Sequence, residues 1–138
     1  MIMKHTRILL VGSAALAAAF MVSAGEMKVP DLKKLPPAAG KTGVTFDKDI
    51  KPIFERTCVK CHGPEKQKGD LRTDSREAVL KGGEMGKVVE AGKIEKSPLL
   101  WSIARLDADT AMPPEGKADP LTKEQVALVR AWIEQGAK

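Results

Sequence analysis

The sequence is poor in the residues from which metal clusters and hydrolytic sites are built. Its 138 residues include two cysteines and two histidines. His5 lies in the first 24 residues, a hydrophobic leader that looks like a signal segment. Only His62 remains if this leader is removed. A Cys2His2 zinc site needs two residues of each kind, and a Ser-His-Asp triad would need His62 for itself. The zinc site is therefore excluded from the processed chain, and a triad would have to use its one histidine.

Aromatic residues are also few. Outside the leader they are Phe46, Phe54, Trp101 and Trp132. These four side chains supply little apolar area to the core of a chain with so many expected loops. A buried cofactor would supply the missing apolar surface, because a ligand that binds only the folded state stabilises it.

The two cysteines lie in the run Cys58-Val59-Lys60-Cys61-His62. This C-x-x-C-H spacing is typical of c-type haem attachment, in which Cys58 and Cys61 form thioethers and His62 reaches the iron as proximal ligand. The alternative is a thioredoxin-like redox dithiol beside a surface histidine. That fold expects a βαβ pattern around the motif, whereas the flanks here are helix and loop. The motif predicts one covalent haem c.

The first 24 residues have the features of a secretory signal. Lys4 and Arg7 are followed by an apolar stretch over 8–20 and by Val22-Ser23-Ala24, which predicts cleavage after Ala24. The alternative is a retained anchor, although the apolar run is at the short end of the roughly 17–25 residues that span a bilayer. We expect a periplasmic or otherwise exported protein with no stable membrane insertion after cleavage.

Composition divides the rest of the chain in two. Residues 25–43 combine prolines and lysines with little apolar periodicity, which predicts a flexible tether. A docking arm for an acidic partner is the alternative. Residues 44–138 form one predicted domain.

The formal net charge of +5 includes two basic residues of the leader, and haem propionates, at about one negative charge each, would offset most of the remainder. No basic patch interleaved with aromatics indicates nucleic-acid binding.

Helical signals recur through the predicted domain. Asp49 can cap a helix with Pro52 in its first turn, and this helix would deliver Cys58 to the haem. Further helices are predicted from Ser75 to Lys81, from Ser97-Pro98 onward, and over Lys123 to Gln135 after a Thr122/Gln125 capping box. The last helix has an apolar stripe that predicts its buried face: Val126, Val129, Trp132 and Ile133.

The second axial ligand cannot be a histidine of the processed chain. Met112 precedes Pro113-Pro114, which stiffen its loop, so we favour Met112 over Met85 or an open site. Met27 lies in the tether, and any methionine can instead fill a core gap. The Pro64 carbonyl is a candidate partner for the His62 ring N–H. Arg72 and Arg105 are candidates for haem propionates or for solvent-exposed surface.

An ordered set of motifs resembles the planctomycete-type cytochrome c domain, within class I cytochromes c. The resemblance covers about residues 44–138, through Phe46, Asp49–Phe54, Cys58–Pro64, Gly69–Arg72, Asp74–Arg76, Ser97–Leu100, Met112–Pro114, Leu121–Thr122, Trp132–Ile133 and Gly136–Ala137. It implies a small all-α fold wrapped around one haem, with the first and last helices crossing and with His62/Met112 ligation. Many relatives carry this module fused to large extra domains, whereas here a tether precedes it.

These patterns together predict an exported monohaem electron carrier that is not an enzyme. We expect it to be a monomer that exchanges single electrons with redox partner proteins. Two alternatives stay open at this point. One is an open-site haem protein that acts on peroxide or a small gas, and the other is a haem-based sensor or binding module.

Overall fold

A computed structural model describes residues 27–138, so the predicted signal segment lies outside the described residues. Within these residues four α-helices follow one another: α1 (Lys51–Thr57), α2 (Arg76–Lys81), α3 (Pro98–Ile103) and α4 (Lys123–Glu134). The described part of the chain contains no β-strand, which confirms the helical fold class. Between residues 27 and 138, no helix is both long and apolar enough to cross a bilayer.

Helix α1 continues from a π-helical turn at Phe46–Ile50. Pro52 in the first turn of α1 has no N–H to donate. Asp49 is not the N-cap residue predicted from the sequence, because it lies inside the π-helical turn. Its carboxylate accepts a hydrogen bond from the Thr45 backbone N–H at 2.9 Å and pairs with Lys41. The Lys41 ammonium, helped by that N–H, holds the pKa of Asp49 below its usual value.

The predicted caps of α2 and α4 are confirmed. Ser75 Oγ accepts from the Ala78 N–H at 3.2 Å at the start of α2. At the start of α4, Thr122 Oγ1 accepts from the Gln125 N–H, and the Gln125 side chain accepts from the Thr122 N–H. Ser97 is the N-cap residue of α3, as predicted, but its side chain makes no capping hydrogen bond. It is fully buried and accepts from the Glu90 N–H while donating to the Lys93 carbonyl.

The core joins the two ends of the domain. The Trp132 ring of α4 lies 5.7 Å from the Phe46 ring, and Phe46 lies 6.1 Å from Phe54 in an edge-to-face arrangement. All three side chains are fully buried. The Trp132 indole N–H and the Phe46 backbone N–H both donate to the Lys138 carbonyl. The N-terminal helical unit, formed by the π-helical turn and α1, therefore packs against the last helix, as the resemblance implied.

Residues 31–39, the N-terminal strap, lie against this core. Leu35 is only 6% exposed, the Ala39 N–H donates to the Ala127 carbonyl at 3.0 Å, and Arg130 donates to the Pro36 carbonyl at 2.9 Å. The prediction of a flexible tether over 25–43 is corrected for this stretch. A few apolar side chains suffice to dock it on α4 despite its lysines and prolines.

Candidate haem-binding site

The C-x-x-C-H motif forms one further turn after α1. The Cys58 N–H donates to the Phe54 carbonyl at 2.7 Å, and the Cys61 and His62 N–H groups donate to the Cys58 carbonyl at 3.0 and 2.9 Å. Cys58 and Cys61 form no disulfide with each other. Burial raises the pKa of the Cys58 thiol to about 12. A redox dithiol needs a thiolate stabilised near neutral pH, so this environment disfavours the thioredoxin-like alternative.

The His62 imidazole is oriented by a backbone carbonyl. Its Nδ1 lies 2.9 Å from the carbonyl oxygen of Lys68. A carbonyl can only accept, so Nδ1 carries the proton in this contact and Nε2 keeps its lone pair. The partner proposed from the sequence was the Pro64 carbonyl, and Lys68 replaces it. A backbone carbonyl carries no residue-type signal, which is why the sequence did not identify this partner.

The loop from Gly63 to Thr73 returns around His62. Thr73, which is 2% exposed, donates its N–H and its hydroxyl to the His62 carbonyl at 2.8 and 3.0 Å. The Lys68 N–H donates to the Cys61 carbonyl at 3.0 Å. A Cβ added at Gly63 would overlap the Val59 carbonyl oxygen, so the tight turn of the C-x-x-C-H motif requires glycine directly after His62. Backbone geometry thus fixes the histidine from both sides.

A cavity of about 400 Å³ opens beside this loop. Cys58, His62 and Met112 share its lining, although fifty residues of sequence separate the last two. Cys61 is not among the lining residues. The wall is largely apolar, and its other members include Met27, Leu71, Thr73, Met85, Val88, Leu99 and Trp101. The volume falls in the range of about 300–1,000 Å³ of cofactor pockets. Thiol, imidazole and thioether on one apolar cavity fit a covalently bound haem.

Two of the methionines at the cavity differ in how they are held. The Met112 N–H donates to the Ser102 carbonyl at 2.9 Å, and the Met112 side chain is 37% exposed. Met85 is 73% exposed and lies in a tight turn closed by two hydrogen bonds between Gly83 and Gly86. Both side chains line the cavity, so the geometry leaves the preference for Met112 a prediction.

The two candidate propionate arginines have partners within the chain. Arg72 donates two hydrogen bonds to the Asp74 carboxylate, at 2.9 and 2.6 Å, and this pairing lowers the pKa of Asp74. Arg105 donates to the Pro113 carbonyl at 2.8 Å. Neither arginine belongs to the cavity lining, so a role in binding propionates gains no support from their positions.

A helical domain with a C-x-x-C-H turn at the edge of an apolar cavity defines a c-type haem protein. Residues 58–116 match the family described as "Planctomycete cytochrome C". This part of the chain is therefore similar to the planctomycete cytochrome c family, the one that the motifs had indicated.

Two further comparisons complete the picture. No curated protein matches the chain. Among solved structures, the chain is similar to a Kuenenia stuttgartiensis hydrazine synthase at 21% identity and a TM-score of 0.46. The match covers 68% of this chain but only 16% of that one. A likeness at this level carries no functional argument.

Proposed function

We propose that the protein is an exported cytochrome with a single haem c that carries single electrons between redox partner proteins. In this proposal Cys58 and Cys61 form the thioethers, His62 is the proximal ligand and Met112 is the distal ligand. The observation that carries the proposal is the convergence of Cys58, His62 and Met112 on one apolar cavity.

The residues around His62 support the proximal role. The Lys68 carbonyl holds the Nδ1 proton, which leaves the Nε2 lone pair for the iron. The Thr73 hydroxyl and N–H hold the His62 carbonyl, so the ring and its backbone are both restrained. A bound haem supplies one-electron chemistry between Fe(II) and Fe(III), and the protein tunes it through axial ligands and burial.

Met112 is favoured over Met85 as distal ligand for two reasons. A thioether is a weak ligand, so it gains from a backbone that is already fixed. Met112 has an anchored N–H and is followed by the buried Pro113, whereas Met85 is the most exposed large apolar residue of the described chain.

A carrier role is favoured over catalysis because His62 is the only histidine among the described residues. The proposed iron bond and the Lys68 contact occupy both of its ring nitrogens, which leaves no imidazole for acid–base work. The wall of the cavity is largely apolar and includes Leu71, Leu99 and Trp101.

The test is expression in a bacterial periplasm that attaches haem c, followed by mass and optical spectroscopy. We expect a mature N-terminus at Gly25, the mass of one haem, and a low-spin oxidised spectrum with a sulfur-to-iron charge-transfer band in the red. Met112→Ala should abolish this band, and the matched variant Met85→Ala should retain it. His62→Ala should prevent assembly of a low-spin haem.

Three outcomes would change the proposal. A band that persists in Met112→Ala but disappears in Met85→Ala would move the distal ligand to Met85. A high-spin resting spectrum, or carbon monoxide binding by the reduced wild-type protein at neutral pH, would favour the open-site haem protein or sensor. An N-terminus still at Met1 would contradict signal cleavage.

A further inference from the structure

The end of α3 contains an arginine where the backbone favours glycine. The Leu106 N–H donates to the Trp101 carbonyl at 3.1 Å, and the Arg105 N–H donates to the Ser102 carbonyl at 3.0 Å. These two bonds form a Schellman motif, whose left-handed position is usually glycine. Arg105 occupies that position with φ of +54°. The strained backbone of a non-glycine residue there points to a requirement for its side chain.

The Arg105 side chain reaches the loop that carries Met112. Its guanidinium Nη1 donates to the Pro113 carbonyl at 2.8 Å. The adjacent Met112 N–H donates to the Ser102 carbonyl at 2.9 Å. Two consecutive residues of the loop are therefore bound to two positions at the end of α3, one through a side chain and one through the backbone.

We propose that Arg105 is a positioning residue that holds Met112 at the cavity by fixing the Pro113 carbonyl. This inference rests on the proposed function, in which Met112 binds the iron. A thioether competes with water and with added ligands, and a restrained loop lowers the entropy lost when the bond forms. Glycine would satisfy the Schellman geometry without strain, so the guanidinium contact accounts for the arginine.

The test compares variants of the haem-loaded protein. Arg105→Ala and Arg105→Gly both remove the guanidinium, but only glycine also relieves the backbone. We expect both to weaken the charge-transfer band and to raise the affinity of the oxidised protein for imidazole by about tenfold, the equilibrium factor of one modest hydrogen bond. Arg105→Gly should be at least as stable to denaturant as Arg105→Ala.

Arg130→Ala is the matched control. Arg130 also donates from Nη1 to a proline carbonyl, that of Pro36 at 2.9 Å, and neither residue lines the cavity. We expect this variant to keep the wild-type band and imidazole affinity, even if its resistance to denaturant falls.

The outcomes separate this inference from the proposed function. If Met112→Ala loses the band while both Arg105 variants keep the wild-type band and imidazole affinity, the positioning role is wrong and the ligand assignment stands. Equal weakening in Arg130→Ala would attribute the effect to general destabilisation and overturn the positioning role. If the wild-type protein lacks the band, both proposals fail. Should Arg105→Ala not assemble, Arg105→Gly decides alone, because its backbone is unstrained.

Discussion

The two sides of the cavity are held by different means. On the His62 side, the loop 58–73 supplies its own restraints, through Lys68 and Thr73, within eleven residues of the histidine. On the Met112 side, loop 105–120 depends on contacts with the end of α3. All of these contacts join residues at most eleven positions apart, but the imidazole is oriented by contacts within its own loop, whereas the position of the thioether depends on contacts with a helix end. We expect substitutions on the His62 side to cost more stability than matched substitutions on the Met112 side.

The largest difference between the two sides should come from replacing one glycine in each. Gly63→Ala places a Cβ against the Val59 carbonyl oxygen, while a Cβ at Gly116 meets open space, although its φ is +72°. We expect Gly63→Ala to cost about 3 kcal/mol by overpacking and Gly116→Ala about 1 kcal/mol by backbone strain alone. Denaturant unfolding of the haem-loaded proteins measures both losses of stability. Equal losses would contradict the close packing of Gly63 against Val59 beside His62.

A smaller effect is expected from removing one hydroxyl on each side. Thr73→Val removes a hydrogen bond to the His62 carbonyl but keeps the backbone N–H that also donates to it. We expect a loss of about 1 kcal/mol. Thr110→Val is the control, because Thr110 lines the same cavity but is exposed on the opposite loop, and it should change stability by less than about 0.5 kcal/mol. If the two variants have the same free energy of unfolding, the Thr73 hydroxyl does not restrain the loop from Gly63 to Thr73.

The smallest expected effect is a loss of stability at acid pH. Asp74 follows Thr73, and the hydrogen bond from Arg72 lowers its pKa from an ordinary value of 3.8. A carboxyl whose pKa is lowered by folding stabilises the protein above its ordinary pKa, and this contribution disappears as the pH falls through the folded-state value. Stability of the wild type should therefore decline below about pH 3.8.

Substitution at either partner should flatten that decline. Asp74→Asn removes the titrating group, and Arg72→Ala removes the cause of its shift, so both variants should lose less stability than the wild type over the same acid range. Unfolding curves recorded at several pH values provide the measurement. If both variants lose as much stability in acid as the wild type does, the acid sensitivity belongs to other carboxyl groups.

Local signals explain what the sequence predicted correctly. Ser75 and the Thr122/Gln125 pair mark helix starts because their side chains satisfy backbone N–H groups three residues away. The buried stripe of α4 follows from helical periodicity, and Trp132 and Ile133 are fully buried as expected. The haem motif is equally local, since its chemistry is contained in five consecutive residues.

Contacts that depend on the path of the chain were not predicted. The Lys68 carbonyl meets His62 only because the loop turns back, and any residue type would present the same oxygen. Arg105 meets Pro113 because α3 ends where it does. The N-terminal strap was interpreted as a flexible tether on composition, yet Leu35 is buried. Burial of one leucine outweighs a polar average over the segment.

The anchoring of Met112 and Pro113 to α3 has a consequence for how the domain tolerates added sequence. Both anchors precede residues 115–119, which are exposed and lead only to α4. The closure entropy of a flexible loop grows slowly, by about 0.6 kcal/mol for each doubling of length. Extra residues placed between Glu115 and Asp119 would lengthen the path to α4 and would follow both Met112 anchors in the sequence. The entropic cost of a module inserted there would therefore be small.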